Sequence, residues 1–182
     1  FEHHGNRLAF IGCHIGDEVK TEMPEHAIAT DELPGAAQCD FEWLQGEIES
    51  LTSQGYLVIF TFQHQEIYSY TASERLVADF NLPAQMGATI VSGSQAHQPH
   101  GFAFDSGAFI HYGLGNLFFD QYHYCTDYAC DRAFIDRHVF YDGRHIATDL
   151  IPIKFMDMAR PRLMTHEEAA DFLEIIFTAS GW

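Results

Sequence analysis

Three short polar clusters carry the side chains able to do chemistry: Gln63-His64-Gln65-Glu66, Gly93-Ser94-Gln95-Ala96-His97 and Gly113-Leu114-Gly115-Asn116. Imidazole nitrogen and carboxylate oxygen suit zinc, manganese or iron, whereas amide oxygens bind these ions weakly and suit hard cations such as calcium or magnesium. Taken singly, each histidine reads first as a hydrogen-bonded structural residue. Only convergence of the clusters makes a cation site, so the elements that precede them decide the matter.

Each cluster follows a short apolar run. Residues 57–62 and 88–92 read as buried strands, with a helix between them that starts at Ser73, turns Leu76, Val77 and Phe80 inward, and should kink or end at Pro83. A strand, a helix and a strand in that order form a crossover, so the two strands lie parallel with their carboxyl ends on one edge of a sheet. That edge is where ligands sit in open α/β sheets. Gln63, Glu66, Gln95 and His97 are thereby expected together, with Asn116 close by.

Upstream, residues 7–13 form another apolar run, preceded by Gly5-Asn6 as the second arm of a hairpin would be; the first arm is expected in material before Phe1. A long loop through Met23-Pro24 and Leu33-Pro34-Gly35 leads to Asp40, which can cap a helix bearing Phe41, Leu44, Ile48 and Leu51 and stopped by Gly55. Downstream, residues 101–104 and 108–112 flank Asp105-Ser106-Gly107, and residues 134–141 and 145–153 flank Asp142-Gly143. The sheet is thus expected to finish in antiparallel hairpins and to be mixed. Thr165 and Glu168 form a capping box before a last helix with Phe172, Leu173, Ile176 and Phe177 inward and Gly181 beyond its end.

Composition bounds the function. The 182 residues are 47% hydrophobic and 14% aromatic, enough for one domain with a real core. No apolar run is long enough to span a bilayer, and none has the layout of a signal peptide. Nine basic against 26 acidic residues give a formal charge of -17, which repels a polyanion, so nucleic acid is excluded as a partner. The four cysteines form two local pairs, Cys13 with Cys39 and Cys125 with Cys130, without zinc-type spacing. We read them as two disulfides in an oxidising compartment, the alternative being four buried thiols.

The clusters then show a specific likeness. The chain resembles the carboxy-terminal half of the CapA family, which is associated with poly-γ-glutamate capsule synthesis and is similar to calcineurin-like metallophosphoesterases. That half reads as a strand ending in HWGxEY, a helix, GHHPH, and then YSLGNFVFD. Here the corresponding stretches run from Phe62 to Tyr68, from Gly93 to His97, and from His111 through the Leu-Gly-Asn of 114–116 to Asp120. The likeness extends from about Arg7 to the final helix.

The resemblance implies an α/β fold, half of a metallophosphoesterase-like α-β-β-α sandwich with a mixed sheet. Residues 1–182 would be the carboxy-terminal portion of the domain, completed by an amino-terminal half or a partner chain. It also implies a divalent metal ion of open identity, either held or lost, with Gln63, Glu66, Gln95 and His97 in the metal places and His97 catalytic. The activity implied is synthesis or hydrolysis of an extracellular polymer of the poly-γ-glutamate type, by a secreted, periplasmic or cell-surface protein that acts on a polymer or small-molecule substrate. The alternative is a degenerate, non-catalytic member acting as a binding or structural surface protein. Departures from the motifs favour caution over the metal. Gln63 and Gln95 stand where the family has histidine, and His64 is one residue out of register, which turns its side chain to the opposite face of an extended segment. A two-metal hydrolase needs several imidazole and carboxylate ligands, more than these residues supply. Weak transition-metal binding is therefore expected.

Overall fold

Val58, Phe60 and Phe62 alternate with Ile59, Thr61 and Gln63 along one strand, so one face is wholly apolar and the other ends in a polar side chain. In the computed structural model of the chain, which describes residues 1–15, 28–119, 127–157 and 160–182, this strand lies inside a six-stranded sheet. The sheet consists of β1 (Glu2–His3), β2 (Asn6–His14), β3 (Tyr56–Gln63), β4 (Ile90–Gly93), β5 (Phe102–Asp105) and β6 (Ala108–His111), in the order β1-β2-β3-β4-β6-β5. Strands β2, β3, β4 and β6 run parallel, while β1 and β5 are antiparallel at the margins.

Two helices cover the apolar face. α1 (Phe41–Ser53) begins where Asp40 accepts from the backbone N–H groups of Glu42 and Trp43, and α2 (Glu74–Gln85) where Ser73 accepts from that of Leu76. Leu44, Ile48, Leu76, Phe80 and Ala84 pack from these helices onto Val58, Phe60, Phe62, Val91 and Ile110. Each fully buried side chain of this size contributes roughly 1.5–3 kcal/mol. Pro83 lies inside α2 and does not end it there; it sits in the last turn, where it forfeits a single intrahelical bond.

The other face is partly roofed by a second sheet of β7 (Arg132–Tyr141), β8 (Arg144–Met156) and β9 (Arg160–Leu163), together with α3 (His166–Ala179), whose Thr165–Glu168 capping box is formed. The hairpin expected to extend the first sheet is therefore separate from it, and β9, unpredicted, pairs with β8. Two contacts anchor the roof. Gly115 bridges to Ala133 at one end, and the turn at Gly143 donates to Asn6 Oδ1 at the other. Between them Phe134, Phe172 and Ile176 pack on Ile90, Phe102 and Phe109. The first strand also differs from expectation: its hairpin partner is within the chain, as the two-residue β1, joined through His4 and Gly5 at positive φ.

Among the described residues the outer face of β2 and β3 stays open. Phe10 is 68% exposed there, and a groove of about 550 Å³ runs beneath β7, lined by Phe10, Ile59, Thr61, Ser92, Phe134 and Asp136 among others. A further polar contact ties the roof to the sheet, His111 Nδ1 to Asp136 Oδ2 at 2.7 Å, with the His111 side chain fully inaccessible. Breaking a buried pair by removing one partner typically costs about 3–5 kcal/mol. Cys13 and Cys39 are disulfide-bonded, and the segment they close lays Gln38 beside His14 as a further parallel bridge. Cys130 is also disulfide-bonded, and its expected partner Cys125 lies outside the described residues.

His100, fully buried beneath the roof, bonds the Ser69 carbonyl through Nδ1 at 2.6 Å. Burial lowers its pKa from 6.5 to about 4, against the raising effect of that bond and with a further lowering by His111. The folded state therefore binds fewer protons than the unfolded state in this range, and stability is full above about pH 6.5 and declines as pH falls toward about 4. The loss should reach about 3 kcal/mol. Burial lowers His138 and His145 as well, which adds in the same direction. Denaturant unfolding of the wild type and His100→Gln at neutral pH and at about pH 4.5 checks this: the variant should show a shallower decline, and equal declines would remove His100 from the account.

Candidate functional site

Because β2, β3, β4 and β6 run in one direction, their carboxyl ends share an edge, and every cluster singled out in the sequence begins there. β3 ends at Gln63, which sits directly beside His14 at the end of β2; Phe62 is beside Gly93, and Ser92 beside His111. The loops after these ends then fold back over the edge. Gly93 makes the arrangement close, since a Cβ there would lie 2.1 Å from the Tyr112 carbonyl oxygen.

Two groups of side chains result. In the first, Ser94 Oγ lies 2.7 Å from the Phe62 carbonyl and 2.8 Å from Gln63 Oε1, and Gln63 Nε2 donates to Gln95 Oε1. The two glutamines thus bind each other. In the second, the His97 backbone N–H donates to Glu66 Oε2 at 2.7 Å, and His97 Nδ1 lies 2.8 Å from Asn116 Oδ1. His97 Nε2 stands 3.9 Å from Glu66 Oε2, with side chains 24% and 15% exposed. Phe119 lies against the His97 ring, at 4.5 Å between centroids. Asn116 donates through Nδ2 to the Cys130 carbonyl at 3.2 Å.

Gln63, Glu66, Gln95, His97 and Asn116 are all at this edge, with Gln63 and Gln95 in one hydrogen-bonded group and Glu66, His97 and Asn116 in the other. His64 is turned away. It is buried against Phe62 and Phe80, and its Nε2 bonds Asp79 Oδ2 of α2 at 2.8 Å while Nδ1 accepts from the Gln65 N–H. The alternation of an extended segment accounts for this, since Gln63 and His64 face opposite sides.

Sequence reasoning missed His14. It is 7% exposed, its Nδ1 makes no hydrogen bond, and with Gln63 and Ser94 it lines a smaller hollow of about 240 Å³. The available signal was the strand-end rule already applied to β3 and β4, which holds equally for β2. Tyr68, matched to the aromatic position of the first motif, is exposed and stacks on Tyr128. Asp120, the last residue of the third motif, lies outside the described residues.

The chain is thus a mixed α/β domain with imidazole, carboxylate and carboxamide groups gathered at the carboxyl edge of its parallel strands. The profile of the family described as bacterial capsule synthesis protein PGA_cap matches residues 1–121, and the chain belongs to that family. No curated protein matches the chain.

The two loop histidines should separate cleanly on mutation. His64→Ala removes a buried ring and its bond to Asp79 and should cost about 2–3 kcal/mol of stability. His97→Ala, at the solvent edge, should cost about 1 kcal/mol or less. Chemical denaturation of both variants provides the measurement, and the reverse order would contradict the assignment of one as structural and the other as a site residue.

Proposed function

We propose that the chain serves extracellular capsule polymer metabolism, of the poly-γ-glutamate type, through a site that holds a single divalent cation between His97 Nε2 and Glu66 Oε2. The observation that carries this reading is the pair of acceptor atoms facing each other at 3.9 Å. Two ligand bonds of about 2.1 Å that meet at an open angle leave their ligand atoms a little under about 4.2 Å apart, so one ion in a bent arrangement fits the 3.9 Å gap. The donor set suits manganese, zinc or iron, and the bound ion would act as a Lewis acid toward a carbonyl or phosphoryl oxygen of the substrate.

The chain's own residues have clear duties in this reading. Glu66 is held by the His97 backbone N–H, and that bond fixes the carboxylate beside the ring whose nitrogen it faces. Gln63, Gln95 and Ser94 hold one another in place, which fixes a neutral polar rim beside the cation. A two-metal hydrolase does not fit these residues, since amides stand in two of the metal places and leave too few imidazole and carboxylate ligands. The net charge of -17 disfavours a bare polyanion at this edge, and a cation there would bridge to polymer carboxylates. The disulfide supports an oxidising, extracytoplasmic setting, and no helix among the described residues is long and apolar enough to cross a membrane.

The bond between Gln63 and Gln95 favours a second reading, a non-catalytic family member that binds polymer. Titration of Mn²⁺ or Zn²⁺ into the chain by calorimetry separates the two. The first reading expects one equivalent, bound more weakly than at a three- or four-ligand protein site, with at least about tenfold loss in His97→Ala and in Glu66→Gln. Binding of the polymer without any cation dependence would establish the second reading, and tight stoichiometric zinc retained by both variants would overturn the first.

A further inference from the structure

A neutral imidazole has one donor and one acceptor nitrogen, and which is which depends on the partner that each one meets. For His97 that partner is Asn116, and the orientation of Asn116 is itself determined. Its carboxamide lies between two neighbours, the Cys130 carbonyl at 3.2 Å and His97 Nδ1 at 2.8 Å. A carbonyl oxygen only accepts, so the Asn116 NH₂ must face Cys130, and Oδ1 must face the ring. An amide oxygen also only accepts, so the hydrogen of that second contact belongs to His97 Nδ1. The lone pair is then on Nε2, the nitrogen that stands 3.9 Å from Glu66 Oε2.

The elements that hold this relay are tied down at several points. Cys130 is fully buried and disulfide-bonded. Asn116 is 7% exposed and follows Gly115, whose φ of +77° and position against the Arg132 carbonyl, 2.6 Å from where a Cβ would lie, admit only glycine. The same stretch is tied to β7 by the Gly115–Ala133 bridge and by the Phe134 N–H donating to the Leu114 carbonyl at 2.8 Å. The carboxamide is thereby presented on backbone that cannot drift from the roof.

We propose that Asn116 is a positioning residue, which holds His97 in the Nδ1–H tautomer with its own orientation set by the Cys130 carbonyl, so that Nε2 is the atom offered to a divalent cation. The proposal rests on the single-cation reading for its function, but the tautomer is measurable without any metal. Long-range ¹H–¹⁵N correlation on the metal-free, ¹⁵N-labelled chain at mildly alkaline pH reads it directly. The wild type should show Nδ1–H at His97. Asn116→Leu, which removes the acceptor, should lose that preference, and Asn116→Asp, which keeps an acceptor toward the ring but loses the donor toward Cys130, should retain it in part. Mn²⁺ affinity should follow the same order, falling by about 10- to 100-fold in Asn116→Leu and by less in Asn116→Asp. A wild-type spectrum with Nε2–H overturns the proposal even if no variant folds, and so does an unchanged Nδ1–H in Asn116→Leu. The expected tautomers with no Mn²⁺ bound by the wild type would support the positioning role and overturn the single-cation reading alone.

Discussion

Parallel pairing of β2, β3, β4 and β6 is the constraint from which the rest of the molecule follows. Strands that share a direction must end on the same edge, and side chains placed at or just beyond those ends meet without any further provision. His14, Gln63, Ser94 and His97 come from three separated stretches of the chain and are assembled by this one geometric fact. The helices that make parallel pairing possible, α1 and α2, lie on the opposite face, so the apolar core and the polar edge do not compete for the same residues.

Much of this was legible in the sequence. Asp40, Ser73 and Thr165 announce three helices because an N-cap is a local event, settled by one side chain and the backbone two or three residues on. The crossover and the meeting of Gln63 with Gln95 followed from connectivity. The separation of β7 and β8 into their own sheet was not legible, because a hairpin pattern identifies the two strands that pair with each other and carries no information on which sheet, if any, they join. The carboxamide bond between Gln63 and Gln95 was hidden for a similar reason, since it depends on rotamers chosen after the backbone is in place. His14 is a different case: the strand-end rule covers it, but the apolar run that marks the strand stops at Cys13, one residue short.

Polar contacts in the interior contrast with those at the edge. His111 and His100 are fully buried and anchored to groups that fix them, Asp136 and the Ser69 carbonyl, so they belong to the architecture. His97 has comparable partners yet keeps a nitrogen toward solvent and a carboxylate. Residue type alone does not distinguish these histidines; what each ring has left after its structural bonds are made does. The same accounting explains why His64, inside the first motif in sequence, belongs to the helix side.

The close approach at Gly93 has a consequence for how such a site can change. Its Cα faces the Tyr112 carbonyl so tightly that a single added carbon would push neighbouring strands apart, and with them the loops that carry Ser94 to His97 and Leu114 to Asn116. The side chains of those loops meet no comparable limit. In a randomised library, the frame positions would tolerate almost nothing while the reactive positions tolerated much. Glutamine at 63 and 95, where the resemblance places histidine, is the sort of drift that such a division permits: a frame that is kept while the chemistry it displays is rewritten.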